Sequence, residues 1–224
     1  MGKLIVFEGT DGTGKSTQFS MLTERLEREG VSFHKLQFPQ YQEPSSALIR
    51  MYLGGDFGSK PTDVSAYAAS TFYAVDRYAS YQRVWKPYYE QGGLILSDRY
   101  TTSNAVHQGG KVPAEQRQGF FSWLYDLEYD RMGLPKPDLV FLLDLPVELS
   151  VSLMRHRESE TGTKADIHEQ DDAYLRQCRS VAREAARHYG WKVISCARDG
   201  FIRAKEDIHE EIYRHVCKCL EGSL

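Results

Sequence analysis

The sequence predicts an α/β protein of three layers, in which a five-stranded parallel sheet is covered by helices on both faces. Five short apolar runs alternate along the chain with segments of helical composition, the order typical of a doubly wound fold. Within each run apolar and polar residues do not alternate, as expected for parallel strands buried on both faces. A glycine-rich loop joins the first strand to the first helix, and such folds bind ligands at the carboxyl ends of their strands.

Glycine and proline set the boundaries of these elements. Gly30 is suited to end the first helix, Pro39 ends the second strand, and Pro87 kinks or ends a long helix. We predict strands over residues 3–7, 31–38, 94–97, 139–144 and 191–195. We predict helices over residues 18–29, 44–53, 63–90 and 113–131. A further helix begins at residue 146, another ends at residue 188, and the last covers residues 204–220.

The composition is that of one globular domain over residues 1–224, with 41% hydrophobic and 26% charged residues. A net charge of −3 gives no reason to expect nucleic acid as a partner. The four cysteines lack metal-ligand spacing, which indicates reduced thiols in a cytoplasmic protein. The first strand begins at Lys3, so we expect no signal peptide. No apolar run approaches the roughly 18 residues of a transmembrane helix, so we expect no membrane association.

The stretch EGTDGTGKST, which begins at Glu8, fits the pattern G-x-x-x-x-G-K-[ST]. It lies between a predicted strand and a predicted helix, the context that this P-loop motif requires. Lys15 is placed to reach the β- and γ-phosphates of a nucleoside triphosphate, and the Ser16 hydroxyl can hold Mg²⁺. The residues expected to bind the triphosphate here are Gly9, Thr10, Asp11, Gly12, Thr13, Gly14, Lys15, Ser16 and Thr17.

Two further pairs of residues have the chemistry of a nucleotide site. Asp98 and Arg99 directly follow the third strand, where the arginine can fork onto a phosphate and the aspartate can hold Mg²⁺ through water. Their alternative role is a simple ion pair. Tyr73 and Arg77 lie four residues apart on one helix face and together could seat a flat base. The alternative for them is an exposed cation–π pair.

Together these motifs resemble the thymidylate kinase family. The resemblance runs from residue 3 to about residue 196 and is carried by residues 7–17, 38–39, 73–77, 98–108 and 137–146. It implies a P-loop NTPase fold, Mg²⁺-dependent transfer of the γ-phosphoryl group of ATP to dTMP, and a homodimer. The products would be dTDP and ADP. The transfer would be in line, without a covalent enzyme intermediate, so the protein's task is to position two anions and screen their repulsion.

The resemblance also assigns residues to the phosphates and the metal. Asp11 would lie near the phosphate and the 3′-hydroxyl of the acceptor, Tyr41 and Arg99 would bind that phosphate, and Asp98 would serve the metal with Ser16. For Asp144, by contrast, we expect only a strand-end hydrogen bond.

For the base and the sugar, the resemblance implies that Tyr73 stacks on thymine and that Arg77 hydrogen-bonds the base edge. Ser103 and Asn104 could line the pocket or merely cap a helix. The full set expected to bind the acceptor is Asp11, Phe38, Tyr41, Tyr73, Arg77, Arg99, Ser103, Asn104, His107 and Gln108.

His107 departs from the family pattern, which has Tyr or Phe at this position near the sugar. Imidazole is smaller and can form hydrogen bonds, so the preference for deoxyribose over ribose is left open. We do not expect His107 to act as a catalytic base, because the attacking phosphate oxygen is already ionised at neutral pH.

The polar segment over residues 155–172 resembles a lid. Because glycine occupies position 12, where some family members carry a catalytic arginine, the lid is expected to supply a cation from Arg155, Arg157 or Lys164. The catalytic set is then these three residues with Asp11, Lys15 and Arg99. The adenine of ATP would rest between the base of the lid, at Arg155, and the turn that carries Arg198.

Two other functions stay open from the residues alone. A deoxynucleoside kinase, or a kinase for another nucleoside monophosphate, could share this fold; the former needs a carboxylate base, for which Glu8 is the candidate. A regulatory module that binds nucleotide without turnover is the alternative from another class. The homodimer agrees with the aromatic-rich helices at residues 63–86 and 115–131, although these aromatic rings could equally be buried within one chain.

Overall fold

The computed structural model describes residues 1–161 and 172–221, and of residues 61, 156–161 and 172 it describes the backbone alone. Within these ranges no helix is long and apolar enough to cross a membrane. The described chain separates into two compact units. One comprises Met1–Val6 and Phe33–Asp138, and the other comprises Phe7–Ser32 and the chain from Leu139 onward.

The predicted five-stranded parallel sheet is confirmed. Its strand order is β2-β3-β1-β4-β5, with β2 and β3 paired in parallel and β4 and β5 likewise. The strands are β1 (Lys3–Glu8), β2 (Phe33–Gln37), β3 (Leu94–Asp98), β4 (Leu139–Asp144) and β5 (Lys192–Ser195). A short antiparallel hairpin, β6 (Ala197–Arg198) and β7 (Phe201–Ile202), follows β5.

Helices occupy the segments between the strands. They are α1 (Lys15–Arg28), α2 (Ala47–Gly54), α3 (Ala66–Ser80), α4 (Lys86–Glu90), the single turn α5 (Thr101–Ser103), α6 (Arg117–Tyr125), α7 (Val147–Thr161), α8 (Asp172–Tyr189) and α9 (Lys205–Glu221). In the described part of the chain, π-helical turns join or extend them at Tyr81–Trp85, Asn104–Gln108 and Asp126–Arg131.

The first unit has an aromatic core. Trp85, Tyr100, Phe120 and Phe121 are fully buried in it, and Trp85 and Tyr100 contact each other edge to face. The rings of Tyr67 and Trp123 meet at 4.6 Å between centroids. The two aromatic-rich helices therefore bury a large part of their apolar surface within one chain.

The second unit packs helices against β4 and β5. Phe7 and Phe141 are buried with their ring centroids 5.3 Å apart, and Phe19 of α1 meets Phe7 edge to face. The N–H of Cys196 donates to the carbonyl of Asp144, which extends the pairing of these two strands. This packing fixes the end of β1 from which the phosphate-binding loop begins.

The helix predicted over residues 63–90 is interrupted rather than continuous. A 3₁₀ turn at Pro61–Asp63 is separated from α3 by the extended residue Val64 and the N-cap Ser65. Helix α3 then widens into the π-helical turn and resumes as α4 with Pro87 in its first turn. A π turn before a proline accommodates the missing N–H and the bulk of the ring, so Pro87 neither ends the helix nor breaks it sharply.

Candidate active site

The glycines of the phosphate-binding loop are dictated by backbone geometry and by close packing. Gly12 and Gly14 have φ angles of 75° and 81°, in the left-handed region. A Cβ atom on Gly12 would lie 2.6 Å from the carbonyl oxygen of Ser150 in α7, and one on Gly9 would lie 2.7 Å from Thr13 Oγ1. Position 12 therefore has no room for a side chain beyond glycine without a shift of its neighbours in α7.

Helix α1 begins directly after this loop, and its first N–H groups have no side-chain cap among the described residues. Gly14 is its N-cap, and its first turn contains no acidic residue. The orphan N–H groups of such a helix end, with the positive end of the helix dipole, form an anion site. Lys15 is half-buried, and Ser16 and Thr17 are exposed in the same turn.

Internal hydrogen bonds hold the loop. The Thr13 hydroxyl donates to the carbonyl of Thr10 at 2.8 Å, and the Gly9 N–H donates to Glu8 Oε1 at 2.9 Å. Glu8 is completely buried. Its carboxylate supports the loop backbone, which favours a structural role over that of a base acting on a sugar hydroxyl. Asp11 lies half-buried at the tip of the loop.

Arg99 lies just after β3 in an uncommon backbone conformation. Its φ angle is 66°, in the left-handed region that is unfavourable for residues with a Cβ atom. Its carbonyl accepts a hydrogen bond of 2.5 Å from the Ser97 hydroxyl, and its Nη1 donates to His107 Nε2 at 2.9 Å. Ser103 Oγ lies 3.4 Å from the same Nη1. The backbone and the side chain of this arginine are thus both fixed.

Arg77 is buried against Glu128, a partner that the sequence analysis did not identify. Arg77 Nε and Nη2 donate to the two carboxylate oxygens of Glu128 at 2.6 and 2.7 Å, and Nη1 donates to the carbonyl of Tyr100 at 3.2 Å. Burial lowers the pKa of Arg77, but the charge of Glu128 and its hydrogen bonds outweigh burial, so the net pKa is raised above the ordinary arginine value. These contacts leave one hydrogen on each Nη atom for a ligand.

Asn104 belongs to the same buried network. Its Nδ2 donates to the carbonyl of Ser70 and to Glu128 Oε1, both at 3.1 Å. Both partners can only accept, so the amide orientation is fixed and Oδ1 is left as an acceptor. Nearby on the chain, Gln108 is buried, and its Oε1 has no hydrogen-bond partner among the described residues.

Tyr73 lies close to several polar residues of the first unit. Burial raises the pKa of its phenol above the usual range, Tyr41 and Tyr52 raise it further, and Arg77 and Arg99 act in the opposite direction. The ring therefore stays neutral and lies within electrostatic range of both arginines. Stacking on a base requires an uncharged aromatic face, and the role of Tyr73 as a seat for a base stays a prediction.

Of the other predicted acceptor residues, Tyr41 is exposed and Phe38 is buried. The Phe38 ring packs on Tyr100 with 5.9 Å between centroids, so Phe38 belongs to the core of the first unit. The segment that carries Tyr41 is held by Asp76, whose carboxylate accepts from the Gln40 N–H at 2.8 Å and from the Ser45 hydroxyl at 2.7 Å. Asp76 was also missed by the sequence analysis.

The two strand-end aspartates differ in their surroundings. Asp98 is half-buried at the end of β3, where its carbonyl accepts from the Phe38 N–H. Asp144 ends β4, and both of its carboxylate oxygens accept from Arg179, at 2.6 and 3.1 Å. Asp144 is thus held in an ion pair with Arg179, and its expected structural role stays a prediction.

Part of the predicted lid lies outside the described residues. Arg155 is exposed on α7, which continues as a helix to Thr161, but Lys164 falls outside the described ranges and nothing is described of the Arg157 side chain. Arg198 lies in β6, where it pairs with Phe201 across the hairpin, and the two line a surface cavity with Arg203 and Asp207.

Glu128 and Asp76 were missed for a common reason. Each is an acidic residue within a helical segment, and its partners lie 24 to 51 residues away along the chain. Glu128 is one of several charged residues among the aromatic residues of 120–131, so the sequence does not show which of them is buried with a cationic partner.

Comparisons with known proteins agree with this description. The family model described as thymidylate kinase matches residues 7–212. A thymidylate kinase of Mycobacterium tuberculosis is 30% identical over 195 residues, which cover 84% of this chain and 87% of that protein. A probable thymidylate kinase of Thermococcus kodakarensis is 37% identical over 157 residues, covering 69% and 72%.

A solved structure has the same fold. The thymidylate kinase of Candida albicans superimposes with a TM-score of 0.71, at 23% identity, over 97% of this chain and 92% of that one. The P-loop fold is thus shown by structure, and the kinship is shown by the family model and by the relatives. This chain belongs to the thymidylate kinase family.

Proposed function

We propose that this protein transfers the γ-phosphoryl group of ATP to dTMP, with Mg²⁺, giving dTDP and ADP. The observation that carries the proposal is the buried network of Arg77, Asn104 and Glu128, which presents a donor and an acceptor in fixed orientations. A thymine edge offers O4 as an acceptor and N3–H as a donor, whereas cytosine reverses both. Asn104 Oδ1 and the remaining Arg77 Nη hydrogens therefore suit thymine or uracil.

The acceptor's phosphate is assigned to Arg99, with Tyr41. A guanidinium that is already held in place loses little conformational freedom when it binds a phosphate. Asp11, Ser103, His107 and Gln108 complete the proposed acceptor set. The Tyr73 ring supplies the stacking surface for the base.

The donor is assigned to the loop and to the first turn of α1. Backbone N–H groups and Lys15 would bind the β- and γ-phosphates. For Mg²⁺, which prefers oxygen ligands, the Ser16 hydroxyl and the Asp98 carboxylate, acting through water, have suitable chemistry. The metal would neutralise charge on the phosphoryl group during transfer. Arg155, Arg157 and Lys164 remain the proposed lid cations, and Arg198 the proposed neighbour of adenine.

In the proposed reaction, an oxygen of the acceptor phosphate attacks the γ-phosphorus while the bond to the bridging β-oxygen breaks. Lys15, Arg99 and a lid cation screen the charge that spreads over the transferring group. No base is needed, because the attacking oxygen is ionised. The buried Glu8 carboxylate, bonded to the loop backbone, argues against the nucleoside kinase alternative.

The oligomer and the location of the protein are also proposals. Tyr67, Val75 and Tyr78 leave an exposed apolar stripe on α3, with 40% to 47% of each residue accessible. We assign this stripe to the interface of a homodimer. The four free cysteines suit the reducing cytoplasm.

The proposal is tested by measuring ADP release with ATP and Mg²⁺ against dTMP, dUMP, UMP, dCMP, dAMP and thymidine. We expect dTMP to be the best acceptor, dCMP to be poor and thymidine to be inactive. Faster turnover of thymidine would indicate a nucleoside kinase, with Glu8 as its candidate base. An absence of turnover with ATP still bound would favour a regulatory nucleotide-binding protein.

A further inference from the structure

His107 lies on the π-helical turn Asn104–Gln108, half-buried, and faces the side chain of Arg99. Its Nε2 is 2.9 Å from Arg99 Nη1, whereas Ser103 Oγ is 3.4 Å from the same nitrogen. A contact of 2.9 Å is a well-formed hydrogen bond, and one of 3.4 Å is a weak one. His107 is therefore the stronger of these two partners of that Nη1.

The chemistry of the two groups fixes the direction of this hydrogen bond. A guanidinium can only donate, so Nε2 must accept, and the imidazole is the neutral form with its hydrogen on Nδ1. A neutral acceptor holds the arginine without neutralising its charge. A carboxylate at this position would hold the arginine as well but would compete with an anionic ligand for it.

We propose that His107 is a positioning residue, which holds the Arg99 guanidinium in the orientation that binds the acceptor's phosphate. This inference rests on the proposed function, in which Arg99 binds that phosphate. Arg99 is anchored at its backbone by Ser97 and by its left-handed conformation. The hydrogen bond from Nη1 to His107 orders the end of the four-torsion side chain, so the ligand bears less of the entropy of ordering it.

The proposal predicts an effect that depends on the ligand's phosphate. Binding of dTMP and of thymidine is measured by isothermal titration calorimetry for wild type, His107→Phe and His107→Gln. A phenyl ring fills the site but cannot accept the hydrogen bond, whereas the glutamine amide oxygen can. We expect H107F to weaken dTMP binding about tenfold more than it weakens thymidine binding, the size typical of one hydrogen bond to a charged group. H107Q should recover most of the loss.

Three outcomes would overturn the proposal. Equal weakening of dTMP and thymidine would mean that His107 contacts the nucleoside directly. Unchanged dTMP binding in H107F would mean that Arg99 needs no such support. Equal losses in H107F and H107Q would mean that the hydrogen bond is not the cause. His107→Ala, which removes the acceptor without adding volume, carries the same expectation as H107F and replaces it if H107F does not fold.

The same titrations separate this inference from the proposed function. If wild type binds thymidine as tightly as dTMP, the phosphate has no cationic site and the proposed function fails. If wild type prefers dTMP and H107F keeps the full preference, only the positioning role fails. A double-mutant cycle with Arg99→Lys completes the test, because H107F should change dTMP affinity little when the guanidinium is absent.

Discussion

At the scale of single residues, the most consequential feature is that Arg77 and Arg99, which we assign to the acceptor, are both held by other groups of the chain. Arg77 is bonded to Glu128 and to a backbone carbonyl, and Arg99 to His107. An arginine that is already ordered binds an anion more tightly than a flexible one, because ordering a flexible cation costs binding free energy.

The ion pair of Arg77 with Glu128 is expected to stabilise the fold strongly. Glu128→Gln leaves a buried guanidinium without its anion, which destabilises proteins by about 3 kcal/mol. The free energy of unfolding in urea measures the loss. Glu148→Gln is the matched control, because Glu148 pairs with Arg176 on the surface, and it should change stability little. Similar losses in both variants would contradict the prediction.

Lys111 is expected to make stability depend on pH. Its Nζ donates to the Tyr52 hydroxyl at 2.6 Å and to the Val64 carbonyl, and burial lowers its pKa to about 8 from 10.5. Between these two values the unfolded chain binds more protons than the folded chain, so the contribution of Lys111 to stability rises with pH. We expect the stability of wild type relative to Lys111→Met to increase from pH 8 to 10. A constant difference in urea midpoint would refute this.

At the scale of elements, the phosphate-binding loop and helix α7 are mutually fitted. The loop approaches the first turns of α7 so closely that only a hydrogen atom fits at Gly12, whereas no described atom lies within 4 Å of the corresponding Cβ position at Gly14. The loop is therefore shaped by its neighbour as well as by its own backbone angles.

Two alanine substitutions separate the effect of the left-handed backbone angles from the effect of the contact with α7. Gly14→Ala incurs only the left-handed backbone conformation, about 1 kcal/mol, whereas Gly12→Ala adds a collision with the Ser150 carbonyl. We expect Gly12→Ala to lower the free energy of unfolding more than Gly14→Ala, measured without nucleotide. Equal losses would show that α7 moves aside at no cost.

At the scale of the whole molecule, the exposed stripe on α3 is the surface on which assembly is predicted. Val75→Asp places a charge in its centre, so we expect a dimer in light scattering to become a monomer. The control is Ile202→Asp on the β6–β7 hairpin, where Ile202 is 39% exposed. Dissociation by both variants, or by neither, would place the interface elsewhere.

Much of this architecture could be predicted from sequence, because strands, loop and helices leave local patterns. Unalternated apolar runs predicted the five strands, and the glycine spacing predicted the loop. The hydrogen bonds of Glu128 and Asp76, the bond between Arg99 and His107 and the β6–β7 hairpin could not be predicted. They depend on which distant residues the fold brings together, and a single sequence does not encode that in any local pattern.

The fixed amide of Asn104 has a consequence for evolutionary change. One of its two anchors is the backbone carbonyl of Ser70, which no substitution removes, and the other is a carboxylate that also neutralises Arg77. A substitution of Glu128 that freed the amide to turn would also break the buried ion pair with Arg77 and so destabilise the fold. In the function that we propose, changes at Glu128 would therefore alter base selection and stability together.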